Sequence, residues 1–349
     1  MFNIGPYTLG PGHKPFIVAE MSGNHNQSLE RGLAIVEAAA RAGAHAIKLQ
    51  TYTADTITLD AQNEHFQIND PKSLWAGKNL YQLYQEAYTP WEWHQPLFER
   101  AKELGLVAFS SPFDETAVDF LEGLGVPAYK IASFENTHHP LLRKVAATGK
   151  PVIMSTGVAT LADIYESVQV LRAAGCTQLV LLKTTSTYPA TPENTNLRTI
   201  PVLAEAMGVP VGLSDHTMGI GAAVAAIALG ACLIEKHFTL RRADGGVDSA
   251  FSLEPEELAA LVTESERAFL ALGGVQMGVQ AAEEKSVKYK RSVFVAQAIR
   301  AGEVFTPENL RVVRPGTGLP PKYYDQLLGR KSARDLAPGT PLSWEHLLG

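Results

Sequence analysis

The sequence predicts a (β/α)8 barrel followed by a small β-rich domain. Three observations carry this: eight short apolar runs between residues 15 and 272, an amphipathic stretch after each, and an abrupt end to that rhythm near residue 273. The apolar runs are 16–20, 46–50, 106–110, 128–132, 152–155, 179–183, 211–214 and 233–237. Several lack the alternation of a half-wet sheet, as expected where both faces of a parallel strand are buried. The helical stretches are 28–42, 90–104, 115–123, 140–148, 161–174, 199–207, 219–229 and 255–272. Gly43, Gly105, Gly149, Gly175, Gly208 and Gly230 follow six of them, where a left-handed residue can close a helix. Eight such units close a barrel. A doubly wound open sheet is disfavoured, because no GxGxxG follows the first strand. Residues 1–13, with Pro6, Gly10, Pro11 and Gly12, predict a short hairpin at the barrel bottom. Residues 50–89, rich in Asn, Gln, Tyr and Trp, are a long insertion that a barrel places on its active face.

The predicted barrel domain spans 1–272. A Gly- and Gln-rich linker is expected over 273–284, and a compact β-rich domain over 285–349, near the lower size limit for independent folding. With 46% apolar and 19% charged residues in a chain of 349, disorder is excluded. The longest apolar stretch, 219–234, is glycine-rich and too short to cross a membrane, and no leader-like pattern is visible. Cys176 and Cys232 sit in apolar surroundings without a CxxC, so a disulfide framework is excluded and a reducing cytoplasm is the expected setting. The net charge of −6 is uneven: residues 285–349 hold eleven Lys/Arg against five Asp/Glu, a balance of +6, leaving −12 on the rest. This balance argues against nucleic-acid binding across the whole surface. Either the two domains have independent surfaces, or the basic tail docks on an acidic body, in the same chain or another.

Barrels do their chemistry at the C-terminal ends of their strands. Here those ends hold Glu20, Lys48 and Gln50, Ser110 and Ser111, Lys130, Ser133 and Glu135, Ser155 and Thr156, Lys183 and Thr185, Ser214 to His216, and Glu235 with His237. Lys48 and Lys130 sit among apolar neighbours and call for an anionic partner. With Ser111, Ser133, Ser155 and Ser214 they form an inventory for phosphate and carboxylate. No GxxxxGK[ST] is present, so a nucleotide P-loop is not expected. Strict alternation would put Lys130 and Ser133 on opposite faces, so the strand must end or bulge near Ala132 if both face the site. His216 and His237 close neighbouring strands and can converge on one divalent ion, Mn²⁺, Mg²⁺ or Zn²⁺, with open positions for catalysis. Glu235, two residues before His237, is a third ligand or an orienting group. Glu20 and Glu135 are acid–base groups or salt-bridge partners of the lysines. His138 and His139 read as structural.

The motifs AEMSGNH (19–25), KLQT (48–51), SSPFD (110–114), YKIASFE (129–135), MSTG (154–157), TYPATPE (187–193), GLSDHT (212–217) and EKHFT (235–239) resemble the sialic acid synthase family. VVRPGTGL (312–319) and LAPGTPL (336–342) resemble its C-terminal antifreeze-like (SAF) domain. The resemblance spans nearly the whole chain. Within the family, KLQTYTADTITLD (48–60) and LYQLYQEAYTPWEWH (80–94) look most like the pseudaminic acid synthase branch. The resemblance implies condensation of phosphoenolpyruvate with an open-chain amino sugar, here 2,4-diacetamido-2,4,6-trideoxy-altropyranose, giving a nine-carbon 2-keto sugar acid and phosphate. The alternative is an N-acetylneuraminate or legionaminic acid synthase using N-acetylmannosamine or a related sugar.

By the same resemblance, His216 and His237 are the metal histidines, with Mn²⁺ or Mg²⁺ as the ion. Lys48, Ser111, Lys130, Ser133, Ser155, Tyr188 and Ser214 lie near phosphoenolpyruvate. Ser186 stands where relatives can carry asparagine. Glu20, Gln50, Glu135 and Asp248 lie around the sugar. Glu135, Glu20 and Tyr188 are the expected catalytic groups. Arg314 would reach the partner subunit's site in a domain-swapped homodimer. In the insertion, Tyr52, Asn63, Asn69, Asn79, Tyr81 and Tyr84 are expected to read the sugar's acetamido groups and methyl. Two rivals are a metal-dependent aldolase or 3-deoxy-heptulosonate-type synthase on the same barrel, and a non-enzymatic ice- or glycan-binding module. The first lacks the appended domain, and the second leaves the strand-end histidines and lysines without a purpose.

Overall fold

The computed structural model describes residues 2–71 and 73–348 and divides into two compact units, Met1–Gly273 and Gly274–Gly349. The first unit opens with an antiparallel hairpin, β1 (Phe2–Ile4) and β2 (Tyr7–Leu9). Eight parallel strands and their helices follow in order. They are β3 (Phe16–Glu20), α1 (Leu29–Arg41), β4 (Ala46–Thr51), α2 (Ala54–Ile57), α3 (Leu80–Ala87), α4 (Trp91–Glu103), β5 (Val107–Pro112) and α5 (Glu115–Gly123). Then come β6 (Tyr129–Ile131), α6 (His139–Ala146), β7 (Val152–Ser155), α7 (Leu161–Ala173), β8 (Leu179–Thr184), α8 (Thr199–Met207), β9 (Val211–Asp215), α9 (Gly221–Ala228), β10 (Leu233–His237) and α10 (Pro255–Leu272). β10 pairs in parallel with both β9 and β3, which closes the barrel.

Two apolar layers divide the strands by parity. Val18, Ala46, Phe109, Ala128, Ile153, Leu182 and Leu233 pack inside the barrel, and Phe2, Ile4 and Leu9 of the hairpin fill its lower end. Ile17, Ala19, Ile47, Leu49, Ile131 and Ile234 face outward onto the helices. This is why the strands read as continuous apolar runs: each residue meets either the inner core or a helix. Helix ends follow local chemistry. The Ser28 side chain caps α1 by accepting from Arg31 N at 3.2 Å, a cap worth about 1 kcal/mol. Gly208 closes α8 in the left-handed region at φ 64°.

In the second unit, β11 (Ser292–Val295) pairs antiparallel with β12 (Leu310–Val313), and one short helix, α11 (Tyr324–Leu327), follows. Single bridges such as Ile299 to Leu336 and Val304 to Lys331 extend the sheet character. Val293, Val295, Phe305, Leu310, Leu327 and Leu342 form its core. The stretch read as a linker is exposed from Gly274 to Gln280, then enters a 3-10 helix at Ala281–Tyr289. No helix among the described residues is long and apolar enough to cross a membrane.

Candidate active site

The inner parity that fills the barrel also builds the site. One step beyond Val18, Ala46, Phe109, Ala128, Ile153 and Leu233 on the same faces come Glu20, Lys48, Ser111, Lys130, Ser155 and Glu235. The polar layer therefore sits directly on the apolar one, at the C-terminal mouth. Lys48 and Lys130 are 3% and 2% exposed, so neither ammonium is solvated by bulk water. Their compensation is local. Lys48 Nζ lies 2.7 Å from Glu20 Oε2 and 3.6 Å from Glu235 Oε1, and donates to Ser111 Oγ at 3.2 Å. Lys130 Nζ donates to Ser155 Oγ at 2.7 Å and lies 3.7 Å from the same Glu235 oxygen. Ser214 Oγ donates to that oxygen at 3.3 Å.

The balance of burial and charge differs across this cluster. Burial would lower the Lys48 pKa, but Glu20 and Glu235 outweigh it and hold it above the usual lysine value. Burial pushes Lys130 down to about 8 against the pull of Glu235. Burial opposes ionisation of Glu235, yet Lys130, Lys48 and His216 keep its carboxyl below the ordinary range. Two buried cations share Glu235, Lys48 pairs with Glu20 besides, and the hydroxyls around them add donors, an arrangement that can receive an anion.

The strand β6 ends at Ile131, and Ser133–Glu135 turn as a 3-10 helix. That turn brings Ser133 to the mouth although alternation from Lys130 would not. Ser133 and Ser186 converge on Gly157: a Cβ there would stand 2.6 Å from Ser133 Oγ and 2.1 Å from Ser186 Oγ. The missing side chain is what lets the two hydroxyls crowd against the backbone there, and Ser186 Oγ is buried with no partner of its own. Glu135 Oε2 is likewise buried and unpartnered, and no described residue forms an ion pair with Glu135. Burial raises the Glu135 pKa to about 7, with Lys130 opposing.

His216 and His237 sit beside this seat with ring centroids 5.4 Å apart. Nδ1–H of His216 donates to the Thr185 carbonyl at 2.9 Å, which leaves Nε2 with its lone pair. His237 Nδ1 is buried without a hydrogen bond, 3.6 Å from Asp248 Oδ2. Burial lowers His216 to about 4 and drives His237 well below its usual value, so both rings are neutral at pH 7, the form that ligates metal. Among the described residues no three His, Cys, Asp or Glu side chains gather closely enough to hold an ion. The two neutral imidazoles alone could supply two ligands, with any others left to substrate or water.

Tyr188 packs its ring 4.4 Å from His216 and 5.4 Å from Phe251. Asp248 accepts a short hydrogen bond from Ser22, and burial raises its pKa to about 6. Gln50 Nε2 donates to Glu20 Oε1 at 2.9 Å and to Ser22 Oγ at 3.1 Å, which joins the cation seat to Asp248. Glu20 is thus an ion-pair partner of Lys48, one of the two roles its position allowed.

Arg314 belongs to the second unit, where it is exposed just past β12. Lys183 falls on the outer parity and donates to Thr185 Oγ1 at 2.6 Å. In the insertion, two of the three expected asparagines serve local structure. Asn63 caps a 3-10 turn by accepting from His65 N, Asn79 caps α3 by accepting from Gln82 N, and Tyr81 donates its hydroxyl to Asp55. Asn69 is exposed. Of the six sugar-reading side chains expected there, only Tyr52 and Tyr84 sense carboxylates of the site, Tyr52 those of Asp248 and Glu20, Tyr84 that of Glu135. Asparagine before a helix is a cap first and a ligand second.

Four contributors escaped sequence reasoning. Glu235 as the shared partner of two lysines was hidden by its closeness to His237. Gly157 and Ser22 lie inside recognisable motifs but have no chemistry until neighbours are placed. The buried pair of Lys236 Nζ and Asp215 Oδ2, 3.0 Å apart on the outer face, ties together the strands that carry the two histidines.

The NeuB family model matches residues 35–277, and the SAF domain model matches 290–348. A pseudaminic acid synthase of Campylobacter jejuni subsp. jejuni is 44% identical over 329 residues, 94% of this chain and 95% of that protein. An N,N'-diacetyllegionaminic acid synthase of the same subspecies is 36% identical over 326 residues, 92% of this chain and 97% of that one. Among solved structures, an N-acetylneuraminic acid (sialic acid) synthetase from Leptospira borgpetersenii has a TM-score of 0.72 at 33% identity, over 82% of this chain and 95% of that one.

Proposed function

The chain belongs to the NeuB family and carries a SAF domain, and from that premise we propose that it acts as a pseudaminic acid synthase. It condenses phosphoenolpyruvate with 2,4-diacetamido-2,4,6-trideoxy-altropyranose, taken as the open-chain aldehyde, to a nine-carbon 2-keto sugar acid and phosphate. The observation that carries the reading is the pair of buried lysines, Lys48 and Lys130, meeting on Glu235 beside His216 and His237. The higher identity to a pseudaminic than to a legionaminic acid synthase supports the sugar.

Lys48 and Lys130, with Ser111, Ser155 and Ser214, hold the phosphate and carboxylate of phosphoenolpyruvate and balance their charge throughout. Ser133 and Ser186, crowded against Gly157, add hydroxyl donors on the Lys130 side. His216 and His237 would hold a divalent ion, Mn²⁺ or Mg²⁺, which when bound supplies Lewis-acid polarisation of the sugar aldehyde. Asp248 and Gln50 position the sugar, and Tyr188 walls the space against His216. Glu135, poised near neutrality, takes a proton from the water that captures the cationic C2 left once C3 of phosphoenolpyruvate has bonded to the aldehyde carbon. Glu20 keeps Lys48 charged. Phosphate then leaves as the C2–O bond breaks and the C2 hydroxyl becomes the ketone; its proton and the one held by Glu135 pass to the phosphate and to the alkoxide left from the aldehyde, while the two lysines hold the phosphate's charge.

Arg314 completes the sugar side from the partner subunit of a homodimer, drawn by the +6 tail and the −12 body. The setting is cytoplasmic, in keeping with two free, buried cysteines. The test is phosphate release from saturating phosphoenolpyruvate with each sugar. We expect turnover of the diacetamido-trideoxy-altrose and little with N-acetylmannosamine. Equal kcat/KM, or a preference for N-acetylmannosamine, would move the chain to the N-acetylneuraminate synthases.

A further inference from the structure

We propose that Trp75 is a specificity-determining residue, an apolar wall of the sugar subsite that packs on a methyl of the substrate. This deepens the function proposed above and rests on it for the identity of the sugar.

Trp75 comes from the middle of the insertion between β4 and α4, far in sequence from every strand end. Two independent contacts hold it at the mouth. Its ring lies 6.0 Å from that of Tyr188, which itself packs 4.4 Å from His216. Its indole N–H donates to the Val247 carbonyl at 2.9 Å, one residue before Asp248. Val247 is in turn wedged where three loops meet. A Cβ on Gly23 would stand 2.4 Å from Val247 Cγ2 and 2.9 Å from the Ala87 carbonyl, so the loops after β3 and β10 and the end of the insertion close on one another only because residue 23 is glycine. The insertion is thereby seated over the side of the site that holds Asp248 and His237.

The chemistry of the wall follows from what Trp75 has already committed. Indole has one polar group, its N–H, and Val247 takes it. Only the ring face and edge remain for a ligand. Trp75 as a residue is half-buried. Asn63 and Asn79 of the insertion are engaged as caps, so near Tyr188 the insertion offers the Trp75 ring as its contact surface. Such contact discriminates by about 10–100-fold, not by the larger factors of a buried hydrogen bond.

The experiment compares wild type with Trp75→Ala and Trp75→Phe, using steady-state kinetics for both substrates. Trp75→Ala is expected to lower kcat/KM for the diacetamido-trideoxy sugar about 10–100-fold, with KM for phosphoenolpyruvate unchanged, and to shrink the preference over N-acetylmannosamine. Trp75→Phe keeps an apolar ring and is expected to retain most of the preference. A second readout needs no turnover. The reduced alditol of the sugar, which has no aldehyde, is added with phosphoenolpyruvate present, and the indole emission of wild type is expected to shift while that of Trp75→Phe does not. An unaltered preference in Trp75→Ala, an equal rise in KM for phosphoenolpyruvate, or Trp75→Phe as impaired as Trp75→Ala would each overturn the wall. A wild type that prefers N-acetylmannosamine would overturn the sugar assignment alone, and the same three proteins on that sugar would still decide the role of Trp75.

Discussion

Lys130 Nζ lies 3.7 Å from Glu235 Oε1, both side chains almost wholly buried, and the same oxygen is 3.6 Å from Lys48. An anion arriving between the lysines meets a carboxylate already there. Removing one partner of a buried pair leaves its charge uncompensated, at a cost of about 3–5 kcal/mol.

Glu235→Gln is therefore expected to lower the melting temperature, and phosphoenolpyruvate to restore more stability to the variant than it adds to wild type, because it supplies the missing negative charge. Thermal melts with and without phosphoenolpyruvate test this. An equal ligand shift in both proteins would count against the shared-anion seat.

His237→Ala is expected to abolish turnover while leaving the circular dichroism spectrum and the melting transition near wild type. Chelation should do the same reversibly, with activity returning on addition of Mn²⁺ or Mg²⁺. Full activity after exhaustive chelation would rule out a metal role for the pair.

The pH profile has two predicted limbs. Glu135 acts as a carboxylate, and with its pKa raised to about 7 by burial, activity should fall as pH drops through that value. Lys130 binds anion as an ammonium, and with its pKa lowered to about 8, affinity for phosphoenolpyruvate should weaken above that pH. The acid limb should disappear from the residual activity of Glu135→Gln and persist in Ser133→Ala.

Arg314 acting from the partner subunit makes a mixing prediction. Arg314→Ala and His237→Ala chains, each inactive alone, should regain activity as a heterodimer, since one of its two sites recovers both groups. No recovery in verified heterodimers would return Arg314 to its own barrel or to the surface.

The sequence alone determined the barrel and the identity of its polar ring. Strand and helix positions follow from local periodicity, and the strand β10 begins and ends where the apolar run of 233–237 does. Because side chains alternate with period two, inner residues one step past the apolar layer had to reach the mouth, which is why Lys48, Lys130, Ser155 and His237 were legible. Tertiary structure decided everything that depends on neighbours distant in the chain. Ser133 faces the site only because β6 stops at Ile131. Asn63 and Asn79 cap helical turns, because a helix N-terminus offers unpaired N–H groups at once. Glu235 became the partner of two lysines, Thr185 the orienter of His216, and Trp75 the neighbour of Tyr188 through closure of the barrel and the folding of its loops. Local pattern sets which face a residue takes; only the packed fold sets what it meets there.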